Sequence, residues 1–281
     1  MAWNRSFADT LPMPAVNGYA QQTDQISGML LTGAEWCSIV VPCFNEEQRL
    51  RPQGFSDYIA LGSRVRFIFV NDGSTDRTLQ ILQELRAANP DSVHILDLQL
   101  NGGKAEAVRA GILQAVSLGG SACVGFWDAD GATPLDALGE LLGELARQPQ
   151  IEMVFGSRVC LLGRRIHRKP FRHYLGRAFA SVVSLMLRLP IYDTQCGAKI
   201  FRVTPNLLRI MNAPFHSRWI FDVEIIARLL ALNGRNHDRV SQMIYEYPLH
   251  EWTDVSGSKV KATVFLRAII ELLQIWQNYL R

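Results

Sequence analysis

The feature that most constrains this chain is a rhythm of short apolar runs, each stopping abruptly in a polar turn and handing over to a stretch of helical length. Cys37–Val41 closes at Pro42 and opens into Cys43-Phe44-Asn45-Glu46-Glu47, while Arg66–Val70 ends in Asn71-Asp72-Gly73-Ser74-Thr75-Asp76. Val93–Leu98 runs into Asn101-Gly102-Gly103-Lys104, and a fourth run from Val124 stops in Asp128-Ala129-Asp130-Gly131. A fifth, Ile151–Phe155, gives way to Gly156-Ser157-Arg158, and a late one spans Met243–Tyr247 before Pro248. Between them lie helical patterns, such as Leu79, Leu82 and Leu85 on one stripe and the stretch Ala105–Leu118. Strands alternating with helices over short connections predict an α/β fold, a mostly parallel sheet with helices on both faces. In such sheets ligands sit beyond the carboxyl ends of the strands. The turns at Asn45, Asp72, Lys104 and Asp128 all fall on that edge.

Asp128 and Asp130 are one residue apart, so at the end of a strand both carboxylates share a face. Two adjacent carboxylates repel, and a divalent cation between them relieves the repulsion. Mg²⁺ or Mn²⁺ takes oxygen ligands and completes its shell with water and substrate phosphate, so two protein carboxylates suffice. Asp-Ala-Asp-Gly is also good turn chemistry; the rest of the chain has to decide.

The 281 residues suffice for one large domain or two small ones. A net charge of +3 does not argue for nucleic acid. The charge is uneven, however: between Arg158 and Arg188 lie Arg164, Arg165, His167, Arg168, Lys169, Arg172, His173 and Arg177 with no acidic residue, a local patch for anions. Five cysteines without CxxC spacing argue for reduced, buried thiols in a cytosolic compartment and against zinc. No apolar run reaches the ~18 residues of a membrane span, and no basic-then-apolar leader opens the chain, so any meeting with a membrane is expected at its surface.

Residues 1–34 show no sustained period and read as a poorly ordered or locally helical tail. Residues 35–258 form the α/β domain. A helix is expected from about Leu175 to Leu189, and another starts within Arg218-Trp219-Ile220-Phe221-Asp222-Val223-Glu224. Residues 259–281 form an amphipathic helix, with Val264, Phe265, Ile269, Leu272, Leu273, Trp276 and Leu280 at helical spacing behind Lys259, Lys261 and Arg267. It lies either in a membrane interface or against the core or a partner subunit of a homo-oligomer.

Taken in order, Val41-Pro42-Cys43-Phe44-Asn45-Glu46, Val70–Thr78, Asn101-Gly102-Gly103-Lys104, Asp128-Ala129-Asp130-Gly131, Gly156-Ser157-Arg158 and Asp193-Thr194-Gln195-Cys196-Gly197 resemble the family 2 glycosyltransferases of the GT-A fold. Within them the chain is similar to the polyprenyl-phosphate (dolichyl-phosphate) hexosyltransferases. Asp128–Thr133 looks most like the glucosyltransferases, because Ala132 stands where the related mannose synthases carry a glutamine as a further metal ligand.

The resemblance implies an inverting, metal-dependent enzyme that moves a hexose, glucose in this reading, from a UDP-sugar to a polyprenyl or dolichyl phosphate. Pro42, Asn45 and Glu46 would line the base and ribose pocket, Asp72 would accept a hydrogen bond from the base, and Lys104 would steady the donor. Asp128 and Asp130 would hold Mg²⁺ or Mn²⁺ against the diphosphate. A lipid monophosphate is already ionised near neutral pH and needs positive charge rather than a general base. Arg158, Arg168 and Arg172 of the basic run would meet that phosphate and an anionic membrane surface, with Asp193 and Gln195 on the acceptor side and Arg158 and Asp193 counted among the catalytic groups. Asp222 and Glu224 match a later motif, or else cap their helix or pair with Arg218. The implied setting is peripheral, on the cytoplasmic face of a membrane. Two other readings stay open: a soluble glycosyltransferase acting on a hydroxyl through a general base, and a non-catalytic nucleotide-sugar-binding protein.

Overall fold

The structure is a computed structural model that describes residues 36–168, 170–255 and 262–281, with the backbone alone at 170–173 and 262–267. The segment 1–34, Lys169, Lys259, Lys261 and the side chains of Arg172 and Arg267 lie outside the described residues.

β1 (Trp36–Cys43), β2 (Val65–Asp72), β3 (Val93–Leu98), β4 (Ser121–Trp127), β5 (Met153–Ser157), β7 (Ala198–Arg202) and β8 (Ile244–Pro248) form a seven-stranded sheet in the order β3-β2-β1-β4-β7-β5-β8, and β6 (Arg165–His167) pairs separately with β9 (Glu251–Thr253). β1 is parallel to both neighbours, with Val41 opposite Phe69 and Val40 opposite Phe126. From β1 the chain steps outward through β2 and β3, then returns to place β4 on the other side. That reversal opens a crevice at the carboxyl ends of β1 and β4.

Helices α1 (Pro52–Ala60), α2 (Thr78–Ala88) and α4 (Asp136–Arg147) cover one face of the sheet. α3 (Lys104–Ser117), α5 (Pro170–Leu187), α6 (Pro205–Asn212), α7 (Phe221–Leu232), α8 (His237–Met243) and α9 (Ala262–Ile275) cover the other. Alternate strand residues serve the two layers: Ile39, Val41, Phe67 and Phe69 join the first, and Val40, Ile68, Val70 and Phe126 the second. Because both faces are covered, the strands read as continuous apolar runs rather than alternating ones. Each fully buried Phe or Ile contributes ~1.5–3 kcal/mol. α3 comes unusually close to the sheet, since a Cβ on Gly111 would lie 2.4 Å from Val40 Cγ1.

The structure departs from the sequence reading in several places. β7 runs antiparallel between β4 and β5, with Lys199 opposite both Phe126 and Phe155; its five residues include this lysine, which hides the strand pattern. Asp128 and Asp130 follow β4 rather than belong to it, and β5 starts at Met153 because Ile151 closes a turn onto Gln148. α5 begins at Pro170, an N-terminal proline that spares an orphan N–H, and stops before Arg188, whose φ of 51° is left-handed.

The C-terminal helix packs on the core without using up its apolar surface. Ala268, Leu272 and Ile275 pack into the α7 side of the core, whereas Ile269, Ile270, Leu273 and Trp276 are exposed. A π-helical turn, Trp276–Leu280, ends the chain. Cys37, Cys43, Cys123 and Cys196 are buried and unpaired as expected, but Cys160 is exposed.

Candidate active site

Four chain segments meet at the crevice. β1 ends in the turn Pro42–Glu46, where Asn45 adopts a left-handed φ of 51° and its Oδ1 accepts from Thr75 N at 2.9 Å. Glu46 N donates to Thr78 Oγ1 at 2.8 Å, so the turn after β1 is tied to the start of α2. Asp76 secures that junction: its Oδ1 accepts from Thr78 N at 3.0 Å and its Oδ2 from Glu47 N at 3.2 Å.

Asp72 does not cap that helix, and its partners lie elsewhere. Its carboxylate accepts from Gly102 N at 2.7 Å, Gly103 N at 2.9 Å and Asn101 Nδ2 at 3.1 Å. It thereby fixes the loop that delivers Lys104 to the start of α3.

These elements enclose a cavity of ≈ 390 Å³, lined by Pro42, Cys43, Phe44, Glu46, Arg49, Asp72, Asn101, Gly103, Lys104, Ala107, Asp128, Ala129, Asp130, Arg218 and Trp219. Asn45 is not among the lining residues; it shapes the wall from behind. Lys104 Nζ lies 2.5 Å from Asp128 Oδ1. Arg49 pairs with Glu46 and reaches only within 4.0 Å of Asp130 Oδ2. Burial and the Asp128 charge raise the Asp130 carboxyl above its ordinary value. Burial would lower the Lys104 ammonium, but Asp128 and Asp222 together raise it.

This donor set fits a hard divalent cation that shares its shell with phosphate and water. Asp130 keeps an oxygen free of hydrogen bonds while the other accepts from Ala132 N at 3.1 Å, and the pair's mutual repulsion is only partly offset. Among the described residues no group of three or more His, Cys, Asp or Glu side chains could hold a metal, so the remaining ligands must come from elsewhere.

A second cluster adjoins the first through Asp128. Asp193 takes Arg158 in a two-pronged pair, Nε to Oδ2 at 2.6 Å and Nη2 to Oδ1 at 2.7 Å. Burial alone would raise the Asp193 carboxyl, but the Arg158 charge and hydrogen bonds hold it at about 2. The Arg158 and Arg168 guanidinium groups lie 5.2 and 5.9 Å from the Trp252 ring centre. Glu246 accepts from Tyr192 N and Asp193 N at 2.8 and 2.6 Å. From the other side, buried Lys199 donates to Thr194 O at 2.9 Å and Cys196 O at 2.5 Å and pairs with Asp222 at 2.6 Å. The loop is pressed against the first cluster, because a Cβ on Gly197 would fall 1.9 Å from Asp128 Oδ2.

Residues 38–206 match the glycosyl transferase family 2 profile. The chain belongs to glycosyl transferase family 2. It is 33% identical over 264 residues to the dolichyl-phosphate beta-glucosyltransferase of Drosophila melanogaster, covering 86% of this chain and 75% of that protein. It is 31% identical over 247 residues to the enzyme of the same name from Saccharomyces cerevisiae, covering 81% and 70%. Among solved structures it resembles glucosyl-3-phosphoglycerate synthase from Mycobacterium tuberculosis in complex with Mn²⁺ and UDP-glucose, at a TM-score of 0.64 and 17% identity, covering 94% of this chain and 84% of that one. That likeness bears on the fold, which is GT-A.

For this family 2 transferase the structure brings Pro42, Glu46, Asp72, Lys104, Asp128 and Asp130 into one cavity and Arg158, Arg168, Asp193 and Gln195 into the adjoining side-chain cluster. Gln195 Nε2 is buried without a hydrogen-bond partner. The basic run is less free than its sequence implies, since Arg165 pairs with Glu251 and Arg177 donates to Tyr192 O. Glu224 caps no helix and instead binds backbone amides and Arg228. Phe44 and Asn101, which lie inside the sequence motifs without an expected role, also line the cavity, and Arg49 lines it without any sequence signal because its pattern is that of an ordinary loop residue.

Proposed function

We propose that this family 2 enzyme transfers glucose, with inversion, from UDP-glucose to the phosphate of a polyprenyl phosphate such as dolichyl phosphate. The curated relatives carry that acceptor and that sugar in their names. The observation that carries the reading is the pairing of an under-neutralised carboxylate pair, with Lys104 beside it, to an adjacent arginine cluster whose carboxylate, Asp193, is taken up by Arg158.

In the reaction an acceptor phosphate oxygen forms a bond to the anomeric carbon from the face opposite the nucleotide. The bond from that carbon to the β-phosphate oxygen breaks, and UDP leaves with the electron pair. Asp128 and Asp130 would hold Mg²⁺ or Mn²⁺, which would supply Lewis-acid neutralisation of the leaving diphosphate. Lys104, oriented by Asp128, adds a second positive charge on that side. Asp193, held ionised at about 2, is too weak a base to take a proton from an alcohol. Its work is to hold Arg158 toward an acceptor that arrives already charged, which weighs against the hydroxyl-acceptor reading.

The acceptor's lipid tail stays in the bilayer, so the enzyme has to come to the surface. No described helix is long and apolar enough to cross a membrane. The exposed face Ile269, Ile270, Leu273 and Trp276 is our docking element, on the cytoplasmic side. Changing Ile270 and Leu273 together to Ser should release the protein from anionic vesicles in a flotation assay while leaving the melting temperature in place; retention on the vesicles would refute that element.

The reaction itself is tested by transfer of labelled sugar into an organic-extractable product, with polyprenyl phosphate and Mn²⁺ present and GDP-mannose run in parallel. Lipid-phase label from UDP-glucose alone is expected. UDP-glucose binding without label would favour a different acceptor or a non-catalytic binder.

A further inference from the structure

The short strand β9 touches both halves of the site. Thr253 N donates to Ala132 O at 3.0 Å, two residues past Asp130, and the ring N–H of Trp127 pins the same turn by donating to Thr133 O at 2.9 Å. One residue before Thr253 stands Trp252, half-buried, opposite Ile166 of β6 and packed with it against the first core layer. Two cations lie over its ring: Arg158, just past the end of β5, and Arg168, just past the end of β6, at 5.2 and 5.9 Å from the ring centre.

These two guanidinium groups share one carboxylate. Asp193 engages Nε and Nη2 of Arg158, which leaves Nη1 without a hydrogen bond among the described residues. The Arg168 guanidinium makes no hydrogen bond or ion pair with another described residue, so it adds a positive charge beyond the balanced pair. Burial and the Arg158 charge both push Arg168 downward, and Asp193 opposes them. It also rests against α5, where a Cβ on Gly176 would fall 3.0 Å from its Nη2. Two like charges at this spacing repel, and on open loops they would part into solvent. The indole face offsets that repulsion, because its negative face attracts a guanidinium without occupying the N–H groups at the guanidinium edge.

We propose that Trp252 is a positioning residue for the acceptor side: its ring holds Arg158 and Arg168 together as one two-armed receptor for a phosphate monoester, and the Thr253–Ala132 bond fixes the distance of that receptor from the carboxylate pair. The free edges of the two guanidinium groups supply the paired donors that phosphate oxygens take up. Trp252 itself touches no substrate. The inference rests on the acceptor reading above and adds the group that keeps its two arginines from parting.

Steady-state transfer from UDP-glucose to a short, water-soluble prenyl phosphate reads the two sides separately, and calorimetric binding of the same prenyl phosphate should follow the same order. Trp252→Leu should raise the KM for the acceptor about tenfold and leave the KM for UDP-glucose unchanged. Trp252→Phe, which keeps an aromatic face, should recover most of that loss. A fluorinated tryptophan in place of Trp252 keeps the shape but depletes the ring face of electron density, so the acceptor KM should rise at an unaltered melting temperature. In the double variant Trp252→Leu with Arg168→Ala, the acceptor loss should be smaller than the product of the two single losses, since the ring acts through the arginine. An acceptor KM that ignores the fluorination, or a Trp252→Leu variant that weakens donor and acceptor equally, would make the ring a packing residue only and overturn the proposal. Failure of the acceptor reading looks different: the wild type itself would neither bind the prenyl phosphate nor transfer glucose to it, and the proposal would fall with that reading.

Discussion

The two charged clusters at the sheet edge handle their charges in opposite ways. Around Asp128 and Asp130 the balance is incomplete: one carboxylate has Lys104, the other only a distant arginine, and burial pushes the second toward protonation. Around Asp193 the balance is closed, with both carboxylate oxygens in a two-pronged pair and the backbone pinned by Glu246 and Lys199. The first cluster gains by receiving ions and is destabilised without them. The second is a finished structural piece that presents an oriented arginine. On the proposed function, the cluster that would bind and release a charged nucleotide is the unfinished one, and the cluster that would steer a charged acceptor is the complete one.

The contrast can be broken most sharply at Asp130. Asp130→Ala should lower metal-dependent transfer by ~10²–10³-fold or more, with a thermal midpoint close to wild type because a partly exposed turn carboxylate is cheap to lose. Unaltered transfer would remove this residue from the metal site. The complete cluster should respond in the reverse sense. Asp193→Asn strands a buried guanidinium and should cost ~3–5 kcal/mol in denaturant unfolding.

The acid limb sharpens the same point. The folded Asp193 carboxyl, at about 2, lies below its unfolded value of ~3.9. The native state thus holds fewer protons than the unfolded chain in that range. The pair's stabilisation, ~2–3 kcal/mol, is complete above pH ~4 and is lost as pH falls through ~2. Asp193→Asn should flatten this limb, and an unchanged limb would place the acid sensitivity elsewhere.

The smallest effect concerns the unfinished cluster without ligand. Saturating Mn²⁺ should raise wild-type stability by ~2.7 kcal/mol at a hundredfold excess over its dissociation constant. Asp130→Asn should lose that increment yet be slightly more stable than wild type in chelator, since it removes a repulsion. A metal increment retained in that variant would count against the proposed ligand pair.

Much of this arrangement was legible in the chain because the sheet edge is written in local patterns. Each strand reads as an apolar run and each functional turn follows it directly, so Asp72, Lys104 and Asp128 fall on one edge once the strands are parallel. What stayed hidden depends on distant residues. That Asp72 grips Gly102 and Gly103 is a relation across thirty positions which no local motif expresses. β7 was obscured because Lys199, buried against Phe126 and Phe155, looks like a surface residue until Asp222 is brought beside it. The basic run looked free because its acidic partners, Asp193 and Glu251, come from other segments.

The distribution of cysteines has a practical consequence for following the acceptor. Four thiols are buried, and burial pushes those of Cys37, Cys43 and Cys196 upward, which makes them poor nucleophiles toward alkylating reagents. Cys160 is exposed, two residues beyond Arg158 and at the head of the basic stretch. A maleimide dye or spin label should therefore attach to the native protein at this one place without engineering, beside the arginine cluster proposed to meet the acceptor phosphate.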